Sequence, residues 1–285
     1  YKVNYIADGN AVISGGEKIT NWEKVSDDVY TAEYNGKSLV REMYVDGVKM
    51  QLSAADTPIK PIGFYTRDEN IIKKKSELTS GDKIAGVAVS GSEYSEYKNK
   101  KDIQVCYARG WKVYISTVTD IVKINEGSAF IMGDEFETMI NRPNYPVNSD
   151  SCFIIKNAKE LLDKSGEFYY DSSEKKIYCK SETAPANVFV PVLEQLVNVE
   201  GKDLGHQAEN ITFSGIRFAH CAWNYPAQNG FIGMQGQLFG GNTKSLPYNE
   251  LGNTIVDAGV QIKRANNIEF TNNEFTGIAK VGVGL

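Results

Sequence analysis

The residues best suited to chemistry in this chain lie near position 220 and in the loop that follows. His220 and Trp223 occur in "FAHCAW", and Gln235 occurs in the glycine-rich stretch "GFIGMQGQLFGG". An imidazole and an amide both hydrogen-bond hydroxyl groups, and an indole ring offers an apolar face. This combination suits a sugar, so we predict that His220, Trp223 and Gln235 bind a glycan. The alternative for His220 and Trp223 is a structural role in the core.

Cleavage of a glycosidic bond ordinarily needs two carboxylates, about 5–5.5 Å apart for retention or about 6.5–9.5 Å apart for inversion. Asp257 enters a predicted strand after a long loop, so it is the best-placed catalytic candidate, with a turn or capping role as the alternative. Glu269 and Glu274 alternate with apolar residues and are predicted to face solvent. No two acids of this region form a convincing pair.

Composition excludes several other classes of function. The 285 residues carry a formal net charge of −5, so the chain lacks the basic surface that a nucleic-acid partner requires. No apolar run approaches the ~20 residues of a membrane span. The chain has two histidines and four widely spaced cysteines, so we predict neither a metal site nor a cofactor.

A repeated phrase indicates how these residues are positioned. "NITFSGIRF" begins at Asn210 and "NIEFTNNEF" begins at Asn267, and both read Asn-Ile-x-Phe, four residues, then Phe. Short strands with asparagine at the corners are typical of a parallel β-helix, in which successive coils stack. We predict that the two asparagines lie at bends and that the apolar residues of both phrases point inward: Ile211, Phe213, Ile216, Phe218, Ile268, Phe270 and Phe275.

The middle of the chain has a different pattern. Asp46-Gly47 predicts a tight hairpin, "GEFYYDSSEKKIYCK" predicts a second one, and "NAKELLDKSG" predicts a helix capped by Asn157. We therefore predict an all-β protein with three parts. Residues 1–16 form a coil of a partial right-handed parallel β-helix, 17–195 form an inserted antiparallel β-rich domain, and 196–285 form further coils.

The order of "AVISGGEKITNWEKVSDDVYTAE", "REMYVDGVKMQLSA", "VPVLEQLVNVEG" and "ITFSGIRFAHCAW" resembles bacterial right-handed parallel β-helix glycoside hydrolases with an inserted β-sandwich-like domain. The resemblance extends from Ala11 to Leu285. It implies an oligosaccharide or polysaccharide substrate from plant or host glycans. It also implies an extracellular or cell-surface location, with no signal peptide in this chain.

The resemblance further implies that the catalytic carboxylates lie on later coils. The partners of this chain would then include the remaining coils of the same polypeptide or a partner chain. Two alternatives stay open: a polysaccharide lyase, and a non-catalytic glycan-binding or structural β-helix.

Overall fold

The computed structural model describes residues 1–36, 39–67, 71–109, 112–141, 151–233, 238–240 and 254–285, and it is mostly β with few short helices. The strands of the first half are β1 Val3–Ile6, β2 Val12–Ser14, β3 Gly16–Ile19, β4 Glu23–Lys24, β5 Val29–Glu33, β6 Tyr44–Val45, β7 Val48–Lys49, β8 Gln51–Leu52, β9 Gly63–Thr66, β10 Ile71–Lys73, β11 Ile84–Val89, β12 Gln104–Arg109, β13 Lys112–Ile124 and β14 Gly127–Met132. The strands of the second half are β15 Phe153–Lys156, β16 Glu167–Asp171, β17 Lys176–Lys180, β18 Val188–Pro191, β19 Val197–Glu200, β20 Ala208–Ser214, β21 Arg217–Cys221, β22 Phe231–Gly233, β23 Leu238–Gly240, β24 Thr254–Ile255, β25 Ala258–Lys263, β26 Ala265–Thr271, β27 Glu274–Ile278 and β28 Val281–Gly284. The helices are α1 Glu135–Ile140 and α2 Tyr225–Asn229, with 3-10 turns at Lys75–Glu77, Glu93–Glu96, Lys100–Asp102 and Lys159–Leu161.

Three small parallel sheets are present, and two of them pair an amino-terminal strand, β1 or β2, with strands from the last third of the chain. Their orders are β1-β20-β26, β2-β21-β27 and β19-β25-β28. The two copies of the repeated phrase pair residue on residue, with Phe213 opposite Phe270 and Phe218 opposite Phe275. The predicted equivalence of the two phrases is therefore confirmed.

One apolar cluster fills the space between these parallel sheets. All seven residues predicted to point inward belong to it, with Phe213, Ile216 and Phe218 buried and the other four partly buried. At the bends, Asn210 and Asn267 adopt left-handed backbone conformations, which asparagine tolerates better than most residues. The Asn267 amide donates to Asn210 Oδ1 at 2.6 Å, so the two side chains bond to each other.

The middle of the chain forms larger sheets in which most pairs are antiparallel. A ten-stranded sheet contains β9–β15 and β22–β24, and two smaller sheets have the orders β4-β5-β17-β16-β8 and β3-β18-β6-β7. Both predicted hairpins are present. The β6–β7 turn has positive φ at Asp46 and Gly47, as a two-residue turn that matches the strand twist requires.

The predicted helix at residues 157–166 is wrong, because only the 3-10 turn Lys159–Leu161 forms there. Asn157 has a φ of 58° and does not cap a helix. Its amide instead donates to the carbonyls of Asp102 and Tyr170, and its Oδ1 accepts from Tyr170 N–H. Those three bonds tie the segment to neighbouring strands.

The segment between β21 and β25 reaches the ten-stranded sheet, where β22 pairs with β13. This pairing attaches the segment that follows β21 to the antiparallel part of the molecule. Within the described residues, no helix combines the length and apolarity needed to cross a membrane.

Candidate functional site

A cleft of about 550 Å³ lies between the β2-β21-β27 sheet and the β6–β7 hairpin. Along each strand of this sheet, alternate side chains point to opposite faces. Ile13, Phe218 and Phe275 enter the apolar cluster, whereas Arg217 and Glu274 line the cleft. The cleft therefore lies on the outer face of the sheet.

Aromatic rings form one wall of the cleft. The His220 ring stacks on Phe189 of β18, with centroids 4.9 Å apart and planes 6° apart. Tyr44 of β6 lies against the same imidazole, with centroids 5.3 Å apart. His220 has a φ of 57°, a left-handed conformation that turns the chain at the end of β21. The cleft thus has a stacked, ordered aromatic surface at the boundary of two sheets.

Each charged group that lines the cleft has a bonding partner: Arg217 and Glu274 bond each other, and Asp46 bonds a neutral amide. Arg217 Nε donates to Glu274 Oε2 at 2.7 Å, and the Asn187 amide donates to Asp46 Oδ1 at 2.8 Å. The Arg217–Glu274 pair joins equivalent positions of the repeated phrase, so the same register that stacks the core also builds it. Its charges offset one another within the cleft.

The two titratable rings of the cleft, the His220 imidazole and the Tyr44 phenol, are neutral near pH 7. Burial lowers the pKa of His220, whose Nδ1 lies 2.9 Å from Ser14 Oγ. Burial and the neighbouring Glu42 raise the pKa of Tyr44, whose hydroxyl donates to Glu42 Oε2 at 3.0 Å. Neutral rings with one bonded polar atom each suit stacking and hydrogen bonding to an uncharged ligand.

Trp223 lies in a different environment from His220. Its indole contacts Phe231 and Phe239 edge to face, with centroids 5.3 and 5.7 Å away. Its carbonyl accepts from Arg41 Nη1 at 3.0 Å. Trp223 is half-buried in this aromatic group and is not among the residues that line the cleft.

Of the two remaining predicted residues, Asp257 also lies outside the cleft lining. Asp257 is exposed and accepts from Lys280 Nζ at 2.9 Å. Gln235 falls outside the described residues. The roles assigned to His220, Trp223, Gln235 and Asp257 stay predictions. Of the three that the structure describes, His220 lines the cleft, whereas Trp223 and Asp257 do not.

Sequence reasoning missed five residues of the cleft on which its chemistry depends: Tyr44, Asp46, Phe189, Arg217 and Glu274. A signal for two of them was available, because Arg217 and Glu274 occupy the same place in the two copies of the repeated phrase. Glu274 is exposed to solvent, as predicted, and the exposed surface to which it belongs is the cleft. Tyr44 and Asp46 carry no such signal, since they approach from a hairpin distant in sequence.

Comparisons with known proteins identify the fold only. No protein-family model matches the chain, and no curated protein matches it. A solved structure described as a glycoside hydrolase is similar, with a TM-score of 0.68 and 21% sequence identity. The match covers 94% of this chain and 48% of that structure. The chain thus spans about half the length of the structure that it resembles.

Proposed function

We propose that this chain binds and positions a neutral glycan for a glycoside hydrolase, and that the cleft between β6–β7 and the β2-β21-β27 sheet is the binding site. The aromatic wall of Tyr44, His220 and Phe189 beside the Arg217–Glu274 pair carries the proposal. A sugar ring presents an apolar face, which the aromatic wall complements. It also presents a rim of hydroxyls, which the Arg217–Glu274 pair can hydrogen-bond.

The architecture that we propose is a partial right-handed parallel β-helix with an inserted antiparallel domain. In this description residues 1–16 supply one coil, 17–195 form the insertion, and 196–285 supply further coils. The pairing of β1 and β2 with β20 and β21 supports it, and so does the similarity of fold to a glycoside hydrolase. We propose an extracellular or cell-surface location, as the family resemblance implies, with the remaining coils of the polypeptide or a partner chain completing the enzyme.

A polysaccharide lyase is less well supported by the two arginines at the parallel sheets. A lyase needs a base beside a uronate and a positive charge that neutralises its carboxylate. Arg217 is paired with Glu274, and Arg264 is paired with Glu200 and also bonds the Gly201 carbonyl. Two arginines already bonded to carboxylates are poor receptors for a uronate.

Glycan binding by the purified chain tests this proposal directly. Xylo-oligosaccharides, fucosylated glycans and lacto-N-biose would be compared with polygalacturonate by isothermal titration calorimetry. We expect Tyr44→Ala to weaken binding of a neutral glycan at least about tenfold, because a desolvated aromatic contact is lost. Tyr44→Phe is the matched control, since it keeps the ring and removes only the hydroxyl.

The outcomes separate the competing functions. Tyr44-dependent binding of a neutral glycan supports the proposal, whereas tighter binding of polygalacturonate supports a lyase. Hydrolysis of aryl glycosides by the chain, abolished by Asp257→Asn, would place catalysis at Asp257. Binding that Tyr44→Ala leaves unchanged would overturn the assignment of this cleft, and Trp223→Ala and Gln235→Ala would then be the next variants to measure.

A further inference from the structure

A smaller pocket of about 130 Å³ adjoins the cleft at the corner where the chain enters β2, β21 and β27. Val12, Arg217 and Glu274 line both the corner pocket and the cleft. The two spaces are therefore neighbouring compartments of one groove, and the Arg217–Glu274 pair lies at their common boundary.

The corner pocket exists because three stacked turns differ in length and in side chains. Residues 7–11 connect β1 to β2, whereas only residues 215–216 and 272–273 make the equivalent connections in the next two layers. The middle turn contains Gly215, whose φ is +70°. Gly215 lines the indentation, with the longer turn on one side and Asn272 on the other.

Two amides at the rim of this indentation are free to bind a ligand. Asn10 and Asn272 are exposed and line the pocket, and neither side chain has a hydrogen-bond partner within the described part of the chain. Elsewhere in the same layers, asparagine amides are engaged: Asn267 bonds Asn210, and Asn273 bonds backbone atoms of the neighbouring layer. An amide offers both a donor and an acceptor to neighbouring sugar hydroxyls.

We infer that the corner pocket is a second sugar-binding subsite, so that the groove takes a neutral oligosaccharide of at least two units, with the linkage over the Arg217–Glu274 pair. This inference rests on the proposed function of the cleft. The pocket is the smaller compartment, and we assign it one terminal unit. The aromatic wall of the cleft holds the neighbouring unit.

The test is the dependence of affinity on chain length, measured by calorimetry with xylose, xylobiose and xylotriose. In the wild-type chain, affinity should rise at least tenfold from xylose to the longer ligands. Asn272→Gly keeps the left-handed backbone, since the φ of Asn272 is 53°, and removes only the amide. It should weaken xylotriose binding about fivefold, as loss of one hydrogen bond does, and leave xylose binding unchanged.

Two further variants make the result decisive. Asn10→Ala removes the other unpartnered amide and should also weaken only the longer ligands. Asn21→Gly is the matched control: Asn21 has a φ of 60° and lies in a different surface concavity beside β3 and β4. A Tyr44-dependent affinity that neither length nor Asn272→Gly changes would overturn the second subsite alone. Absence of binding for xylose, xylobiose and xylotriose would overturn this inference. The other neutral glycans of the panel would then decide whether the cleft binds a glycan.

Discussion

The parallel and antiparallel parts of this molecule bury their aromatic residues in different geometries. In the parallel sheets, Phe213 stacks on Phe270 with planes 14° apart, and Phe218 stacks on Phe275 with planes 11° apart. In the ten-stranded sheet, Phe130 meets Phe153 at 73° and Tyr94 at 52°. The first part repeats one arrangement from layer to layer, and the second combines rings at varied angles.

The spacing of strands explains the difference. Parallel strands in register lie about 4.8 Å apart and place equivalent side chains directly above one another, so rings stack face to face. An antiparallel sheet that folds over its own core brings together residues from unrelated positions, so its rings meet at varied, mostly tilted angles. Because a stack repeats equivalent residues, it produces a repeated phrase in the sequence. A ring at the edge of the stack remains more exposed than the rings inside it: Tyr5, which stacks on Phe213, is 51% exposed.

The largest effect should come from the middle of a stack. Phe213 is 4% exposed and lies between Tyr5 and Phe270, so Phe213→Ala should cost about 3–5 kcal/mol of unfolding free energy. Phe130→Ala, in the antiparallel core, should cost a similar amount. Phe270→Ala, at a partly buried position, should cost about half as much. Denaturant titration measures all three, and a cost below about 1 kcal/mol for Phe213→Ala would contradict the stacked arrangement.

Asparagine bridges between layers should have the next largest effect. Asn273 Oδ1 accepts from Ile216 N–H at 2.8 Å, and its amide donates to the Phe213 carbonyl at 2.9 Å. Asn273→Ala leaves both backbone groups without this partner, which should cost about 1–3 kcal/mol. The neighbouring Asn272→Gly removes no such bond and serves as the control. Equal thermal stabilities for the two variants would show that the bridge contributes nothing.

His220, at the boundary between the parallel and antiparallel parts, should make stability depend on pH, and this effect should be smaller still. Because burial lowers the pKa of His220, the unfolded chain binds a proton on this residue at a higher pH than the folded chain does. The stability that depends on His220 is therefore present above pH 6.5, the ordinary value, and is lost as the pH falls below it. His220→Asn, which tolerates the left-handed backbone, should flatten the stability profile between pH 7 and 5.

His206 provides the matched control for the His220 substitution. Its side chain is 73% exposed and lies 2.9 Å from Asp203, away from both cores. His206→Asn should leave the profile between pH 7 and 5 much closer to that of the wild-type chain. If His206→Asn flattened the profile more than His220→Asn, the loss of stability in acid would not originate at the boundary.

The smallest effect is expected for Asp257→Asn. The carboxylate is 59% exposed, and asparagine keeps an oxygen that can accept from Lys280. We expect a loss of stability within about 1 kcal/mol and less than a twofold change in glycan affinity. A larger fall in affinity, measured by calorimetry with the best neutral ligand, would extend the binding site to Asp257.

The sequence predicted the parts of the fold that depend on neighbours in register or on tight turns. The phrase at Asn210 and Asn267 identified the stacked cluster, and Asp46-Gly47 identified a hairpin. It failed at Asn157, because the same residue type caps helices and bridges strands, and only the tertiary partners decide between these roles. It also missed Tyr44, whose place in the cleft depends on contact between segments that are distant in the chain.

The pairing of the first strands with β20 and β21 also has a consequence for how the chain folds. The bond between Ser14 and His220 joins residues 206 positions apart, so closing this contact in an unfolded chain requires ordering a very long loop. Hairpins such as β6–β7 and β16–β17 close over a few residues and form on a much faster timescale. We therefore expect the antiparallel part to fold first and to shorten this loop. During synthesis, the apolar residues of β1 lack their partner strand until β20 has emerged.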